Sequence, residues 1–181
     1  KAEADSAAAC KKQGGALEVG DREISVPEFT MYYYDEYSSQ IDSAQYSIQK
    51  TGSNKTGFEL TIMPAAQTNP GTQDTWEAYF VEEAVTKMRE VYMIFDLAIK
   101  EGVKVDVMTI ASILENIDLI EKTVAKNGIT ADESLSAYYG EGMTAAIYNA
   151  RDIMMAYAQA YEETKLAEIR DGYSDSQLQE V

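Results

Sequence analysis

The chain has 181 residues, long enough to bury one substantial core, and its 31 acidic against 15 basic side chains leave a formal charge of −16. A field of that sign repels phosphate backbones and anionic headgroups, which argues against nucleic acid and membrane surfaces; it serves solubility and leaves basic clients as possible partners. The absence of histidine excludes serine and cysteine triads and most transition-metal sites, and with Cys10 as the sole cysteine neither an internal disulfide nor a zinc site on cysteine pairs can form.

Residues 1–16 are small, charged and glycine-ended, without apolar periodicity, and read as a flexible tether; the run Ala7-Ala8-Ala9 before Cys10 lacks the apolar stretch of a lipidation signal and reads as a spacer. The chain opens on Lys1 rather than methionine, so an export signal or anchor is expected to have been removed. From Leu17 to Ile24, apolar and polar residues alternate around Gly20-Asp21, which predicts a short extended or β-hairpin-like segment. Ser25-Val26-Pro27-Glu28 forms a capping box that opens a helix to about Lys50, with Phe29, Tyr33, Tyr37, Ile41, Ala44 and Ile48 along its core face.

Residues 51–73 contain Gly52, Gly57, Pro64, Pro70 and Gly71 and no sustained period, which predicts a long loop packed by Phe58, Leu60, Ile62 and Met63. Asp74-Thr75-Trp76-Glu77 then caps a second helix with a stripe of Trp76, Phe80, Ala84, Met88, Val91, Phe95 and Ala98, ending near Gly102. Its stretch Val91-Tyr92-Met93-Ile94-Phe95 is apolar nearly all round and implies contact on more than one side, the pattern of a central helix.

Asp106 caps a third helix, faced by Ile110, Ile113, Leu114, Ile117, Ile120 and Val124 and stopped by Asn127-Gly128. Thr130-Ala131-Asp132-Glu133 is another capping box, for a short helix around Leu135 and Tyr138 that ends at Gly140. Thr144 caps a long helix carrying Ile147, Ala150, Met154, Ala158 and Tyr161 to about Ile169. Ser174-Asp175-Ser176-Gln177 looks like one more helix start with few residues after it, so the natural polypeptide is expected to continue beyond Val181. The predicted fold is mainly α: an irregular bundle of about five to six helices after a short extended or hairpin-like lead-in, with 17–181 as one helical domain. No window reaches the run of about 18 apolar residues that a membrane span needs.

The order of these pieces resembles the N-terminal chaperone domain of SurA/PrsA-type foldases. Val19-Gly20-Asp21-Arg22-Glu23-Ile24-Ser25-Val26-Pro27-Glu28-Phe29 resembles the family's opening strand, polar turn and first-helix start. Thr75-Trp76-Glu77-Ala78-Tyr79-Phe80, with the exit Leu97-Ala98-Ile99-Lys100-Glu101-Gly102-Val103, resembles its long second helix. Ser134-Leu135-Ser136-Ala137-Tyr138-Tyr139-Gly140-Glu141-Gly142-Met143-Thr144 resembles the turn before its last long helix, and Ser174-Asp175-Ser176-Gln177-Leu178 the start that follows. The resemblance spans about residues 17 to 181. It implies an extracytoplasmic domain, secreted or anchored to the outer face of the cytoplasmic membrane, that cradles unfolded or exported polypeptide and is often joined to a parvulin-type peptidyl-prolyl isomerase domain elsewhere in the chain. The histidine pair that parvulin active sites generally carry has no counterpart here.

The residues themselves offer no catalytic constellation. No phosphate-binding loop is present, the pairs Glu82-Glu83 and Glu162-Glu163 fall on polar helix sides, and no calcium-loop pattern occurs, so neither metal nor cofactor is expected. Thirteen tyrosines and eight methionines instead supply adaptable apolar surface with polar handles. In Tyr32-Tyr33-Tyr34, successive side chains point about 100° apart, so Tyr33 can face the core while Tyr32 and Tyr34 cannot share its face. Tyr32, Tyr34, Tyr138, Tyr139 and Met155 are the candidate peptide-binding residues, and packing between helices is the alternative for all five. Three functions remain open: a non-catalytic module binding extended polypeptide, the substrate-delivery part of a prolyl isomerase catalysed elsewhere, and a structural or homodimerising module of the cell envelope.

Overall fold

The computed structural model describes residues 17–19 and 22–172. The tether at 1–16 and the helix start at Ser174 therefore lie outside the described residues. Among those described, β1 (Leu17–Val19) and β2 (Arg22–Ile24) form an antiparallel hairpin and five helices follow: α1 (Val26–Thr51), α2 (Trp76–Glu101), α3 (Val107–Val124), α4 (Ala131–Tyr139) and α5 (Ala145–Asp171). The architecture is mainly helical, as the periodicities predict. In the hairpin Leu17 pairs with Ile24 and Val19 with Arg22; Glu18 and Glu23 face water between them, which is the alternation read from the sequence.

The chain divides into two compact units. One comprises the described residues up to Arg89 together with Leu135–Met143, and the other Glu90–Ser134 together with the residues from Thr144 onward.

The first unit is built on aromatic packing. The Ser25 hydroxyl accepts from the Glu28 amide at 3.4 Å to start α1, and Gly52, at φ 74°, closes it by donating its N–H to the Ile48 carbonyl. Phe29, Tyr33 and Ala44 are buried along α1, whereas Ile48 is exposed, so the predicted core face leaves the interior one turn early. Phe80 of α2 stands at the centre, its ring 6.0 Å from Tyr33, 5.8 Å from Tyr37, 5.7 Å from Phe58 and 5.6 Å from Trp76, mostly edge to face.

The loop between α1 and α2 differs from expectation in what holds it. Phe58 is buried, but Leu60, Ile62 and Met63 stand in water, Met63 at 75% exposure. Amide side chains take their place. The Gln67 oxygen accepts from the Glu59 N–H at 2.8 Å, while its nitrogen donates to the Glu59 and Ile62 carbonyls. Asn54 donates to the Phe58 carbonyl, and buried Asn69 accepts from the Gly71 N–H at 2.8 Å. The Trp76 indole N–H reaches the Gly57 carbonyl at 3.2 Å and ties the loop to α2. Thr75, rather than Asp74, caps that helix, since its hydroxyl accepts from the Ala78 amide.

The second unit holds the later part of α2, α3, the start of α4, and α5. Val91, Tyr92 and Ala98 are buried but Met93 is exposed, so the stretch read as apolar all round keeps one side in water. Phe95 meets Tyr157 edge to face at 5.7 Å. Asp106 caps α3 by accepting from Met108, and Gly128 ends the following turn in the left-handed region. Around Thr130 the capping box is reciprocal: its hydroxyl accepts from the Glu133 amide at 3.2 Å, and its own N–H donates to the Glu133 carboxylate at 2.7 Å. Thr144 accepts from Ile147 to start α5, and Asp132 accepts from the Ala145 N–H at 2.7 Å beside it.

Candidate functional sites: a tyrosine cluster and an open groove

The five candidate residues do not share one environment. Tyr32 is only 1% exposed and lies in the interior: Met31, Tyr32 and Tyr33 step about 100° apart yet all three are buried, so α1 is enclosed on more than one side at this turn. It offers no surface to a client. Met155 is half-buried on α5, in the second unit. Tyr34, Tyr138 and Tyr139 do come together in the first unit, with ring centroids 5.2 Å apart for Tyr34 and Tyr138, 5.9 Å for Tyr34 and Tyr139, and 4.7 Å for Tyr138 and Tyr139.

The turn after α4 positions this cluster. Gly140 and Gly142 both adopt positive φ, and the Ser136 hydroxyl donates to the Met143 carbonyl at 2.8 Å, which folds the chain back under α4. Tyr138, at 58% exposure, is the outermost ring, with Tyr34 and Tyr139 half-buried behind it. Burial, aided by Glu77 and by Tyr37 and Tyr34, pushes the neighbouring Tyr33 hydroxyl up to about 12, so it stays a neutral donor at physiological pH. Burial and Glu83 likewise hold the Glu36 carboxyl above its ordinary range, against the opposing pull of Lys87.

A second feature, in the second unit, was not anticipated. Lys104, Val105 and Asp106 before α3, and Thr109 in its first turn, face α5 across an open groove of about 560 Å³. Ala156, Ala160 and Ala167, recurring along one side of α5, line it together with Gln159, Glu163 and Thr164 on the same stripe of the helix. The Gln159 amide donates to Glu163 at 2.9 Å, which leaves the amide oxygen turned to accept. Nearby, Glu101 at the end of α2 accepts from Tyr161 at 3.1 Å and pairs with Lys165 at 2.8 Å, and Lys165 also reaches Glu168. The Lys165 bond holds the Glu101 carboxyl below the ordinary carboxylate range and raises the ammonium in turn. The sequence signal for this groove was the alanine spacing on α5, which periodicity alone does not distinguish from core.

The groove fits the size of a ligand site, and its polar groups are hydroxyls, an amide and single charges of both signs. Among the described residues no group of three or more histidine, cysteine, aspartate or glutamate side chains is placed to hold a metal, and no helix is long and apolar enough to cross a membrane. No family model, curated protein or solved structure matches this chain.

Proposed function

We propose that this chain is a non-catalytic, extracytoplasmic, chaperone-like module that holds unfolded or extended polypeptide in the groove between the start of α3 and α5. The groove's lining carries the reading. Alanines in the lining let a bound main chain approach closely, while the Thr164 hydroxyl, whose proton goes to the Ala160 carbonyl, and the Gln159 amide oxygen can accept from peptide N–H groups and the Thr109 hydroxyl can serve a peptide carbonyl, without demanding a particular side chain. In the first unit, the open tyrosine cluster around Tyr138 supplies a separate rigid aromatic surface suited to apolar side chains. The likeness of the chain's motifs to SurA/PrsA-type domains points the same way.

The test is suppression of aggregation. The chain is titrated into a refolding, aggregation-prone protein, alone and as Ala160→Trp, which fills the groove. Gln159→Ala serves as a milder second variant, and circular dichroism verifies that each remains folded. Suppression by the unmodified chain that is lost in both folded variants is the expected result. Suppression that survives both moves the client site away from the groove. None from the unmodified chain, even at stoichiometric excess, overturns the reading.

A further inference from the structure

Of the five helices α3 is the most apolar, yet none of its residues is fully buried. Its packing against α5 accounts for the half-buried side, made by Ile110, Ile113, Ile117, Ile120 and Val124. On the opposite side Met108, Ser112, Glu115 and Leu119 follow one another at steps of four, three and four, a straight row along a helix. Met108 is 73% and Leu119 64% exposed. Neither they nor Glu115 line the groove.

Charge narrows what can cover such a row. Among the described residues Glu115 and Asp118 make no hydrogen bond or ion pair, and Lys122 is the only cation of α3. The chain as a whole carries −16, so a second copy or any acidic partner meets repulsion, whereas a basic one is steered inward. Backbone chemistry narrows it again. Between its end turns the N–H and carbonyl groups of α3 are spent within the helix, and the Met108 N–H is taken by Asp106, so an extended strand laid here would bury its own polar groups without partners, while a helix satisfies its own. From Met108 to Leu119 the row runs about 16 Å, three turns.

We propose that this outer face of α3 docks a cationic amphipathic helix of another protein. The partner's apolar stripe covers Met108 and Leu119, and its lysines or arginines meet Glu115 and Asp118, the helix-on-helix mode of peptide recognition. This contact is independent of the groove and of the polypeptide-holding function.

The experiment measures, by fluorescence anisotropy on the whole chain, binding of a labelled peptide of about 18 residues with leucines at helical spacing and lysines elsewhere, beside a control with glutamate for every lysine. The lysine peptide is expected to bind at least about tenfold more tightly than the control, and less tightly as salt rises from about 50 to about 300 mM. Met108→Ser/Leu119→Ser and Glu115→Lys/Asp118→Lys, all at exposed positions, are each expected to weaken it by about tenfold or more with circular dichroism unchanged. Asp42→Lys/Glu82→Lys, which changes the net charge equally elsewhere, is expected to leave binding within about twofold. Equal weakening by that remote pair would show diffuse attraction only and overturn the proposal, as would undiminished binding in the Met108→Ser/Leu119→Ser variant. Sedimentation showing a dimer of the unmodified chain that Met108→Ser/Leu119→Ser dissolves would assign the face to a second copy and overturn it too.

Discussion

Phe58→Ala is the sharpest test of how the first unit is assembled. Phe58 comes from the α1–α2 loop, not from a helix, yet it is fully buried, and its ring lies 5.3 Å from Trp76, 5.7 Å from Phe80 and 6.0 Å from Tyr37. Truncating a buried phenylalanine costs about 3–5 kcal/mol, because the apolar area is lost and the cavity collapses only in part. At a urea slope of roughly 2 kcal/mol per molar, the midpoint should fall by about 2 M. Trp76 is the only tryptophan and touches Phe58, so its fluorescence reports this transition directly, with far-UV circular dichroism followed alongside. Met63→Ala, in the same loop but standing in water, should stay within about 0.5 kcal/mol of the unmodified chain. A loss below about 1 kcal/mol for Phe58→Ala, with an unchanged Trp76 spectrum, would mean that this ring does not anchor the loop.

Gly57→Ala should destabilise the same region, since a Cβ at φ +76° would lie 2.7 Å from the Pro70 ring; the loss expected is about 1–3 kcal/mol, read as altered Trp76 emission because the indole donates to the Gly57 carbonyl. The cap of α4 should weaken in acid. Thr130 holds the Glu133 carboxyl below its ordinary value of 4.5, so the stabilisation is complete above that value and is lost as pH falls through the lowered one. The protection of the Thr130 amide, taken relative to the intrinsic exchange rate at each pH from about pH 6 to about pH 2, should fall over that range in the unmodified chain, while Glu133→Gln should abolish the acid-dependent step. Thr144→Ala should cost about 1 kcal/mol in thermal or urea unfolding, through loss of the bond to the Ile147 amide.

Helix starts were legible because a cap is local chemistry: Ser25, Asp106, Thr130 and Thr144 each accept from an amide two or three residues ahead. The stripe from Trp76 to Ala98 was legible for the same reason, since α2 is long and its period sustained. Less was readable where tertiary neighbours decide. Nothing local distinguishes Phe58, which is buried, from Leu60 and Ile62, which are not. Leu114 belongs to the apolar set of α3 by spacing, yet it projects to the flank and stays exposed. The candidate tyrosines show the same limit: one step along α1 separates the interior position of Tyr33 from Tyr34, whose ring meets Tyr138 from the far end of the unit's sequence. The groove depends on two segments some fifty residues apart, Lys104–Thr109 and Ala156–Ala167, and no single window contains both.

The way the α1–α2 loop is fastened has a consequence for the settings in which the chain can keep its form. Its latches are the neutral side chains of Asn54, Gln67 and Asn69, bonded to main-chain groups. In a molecule with 31 carboxylates, whose surface charge changes with every shift of acidity, these three do not titrate and are not weakened by dissolved ions. The loop should therefore hold one shape in acidic or neutral, dilute or briny surroundings, whatever charge the rest of the surface carries.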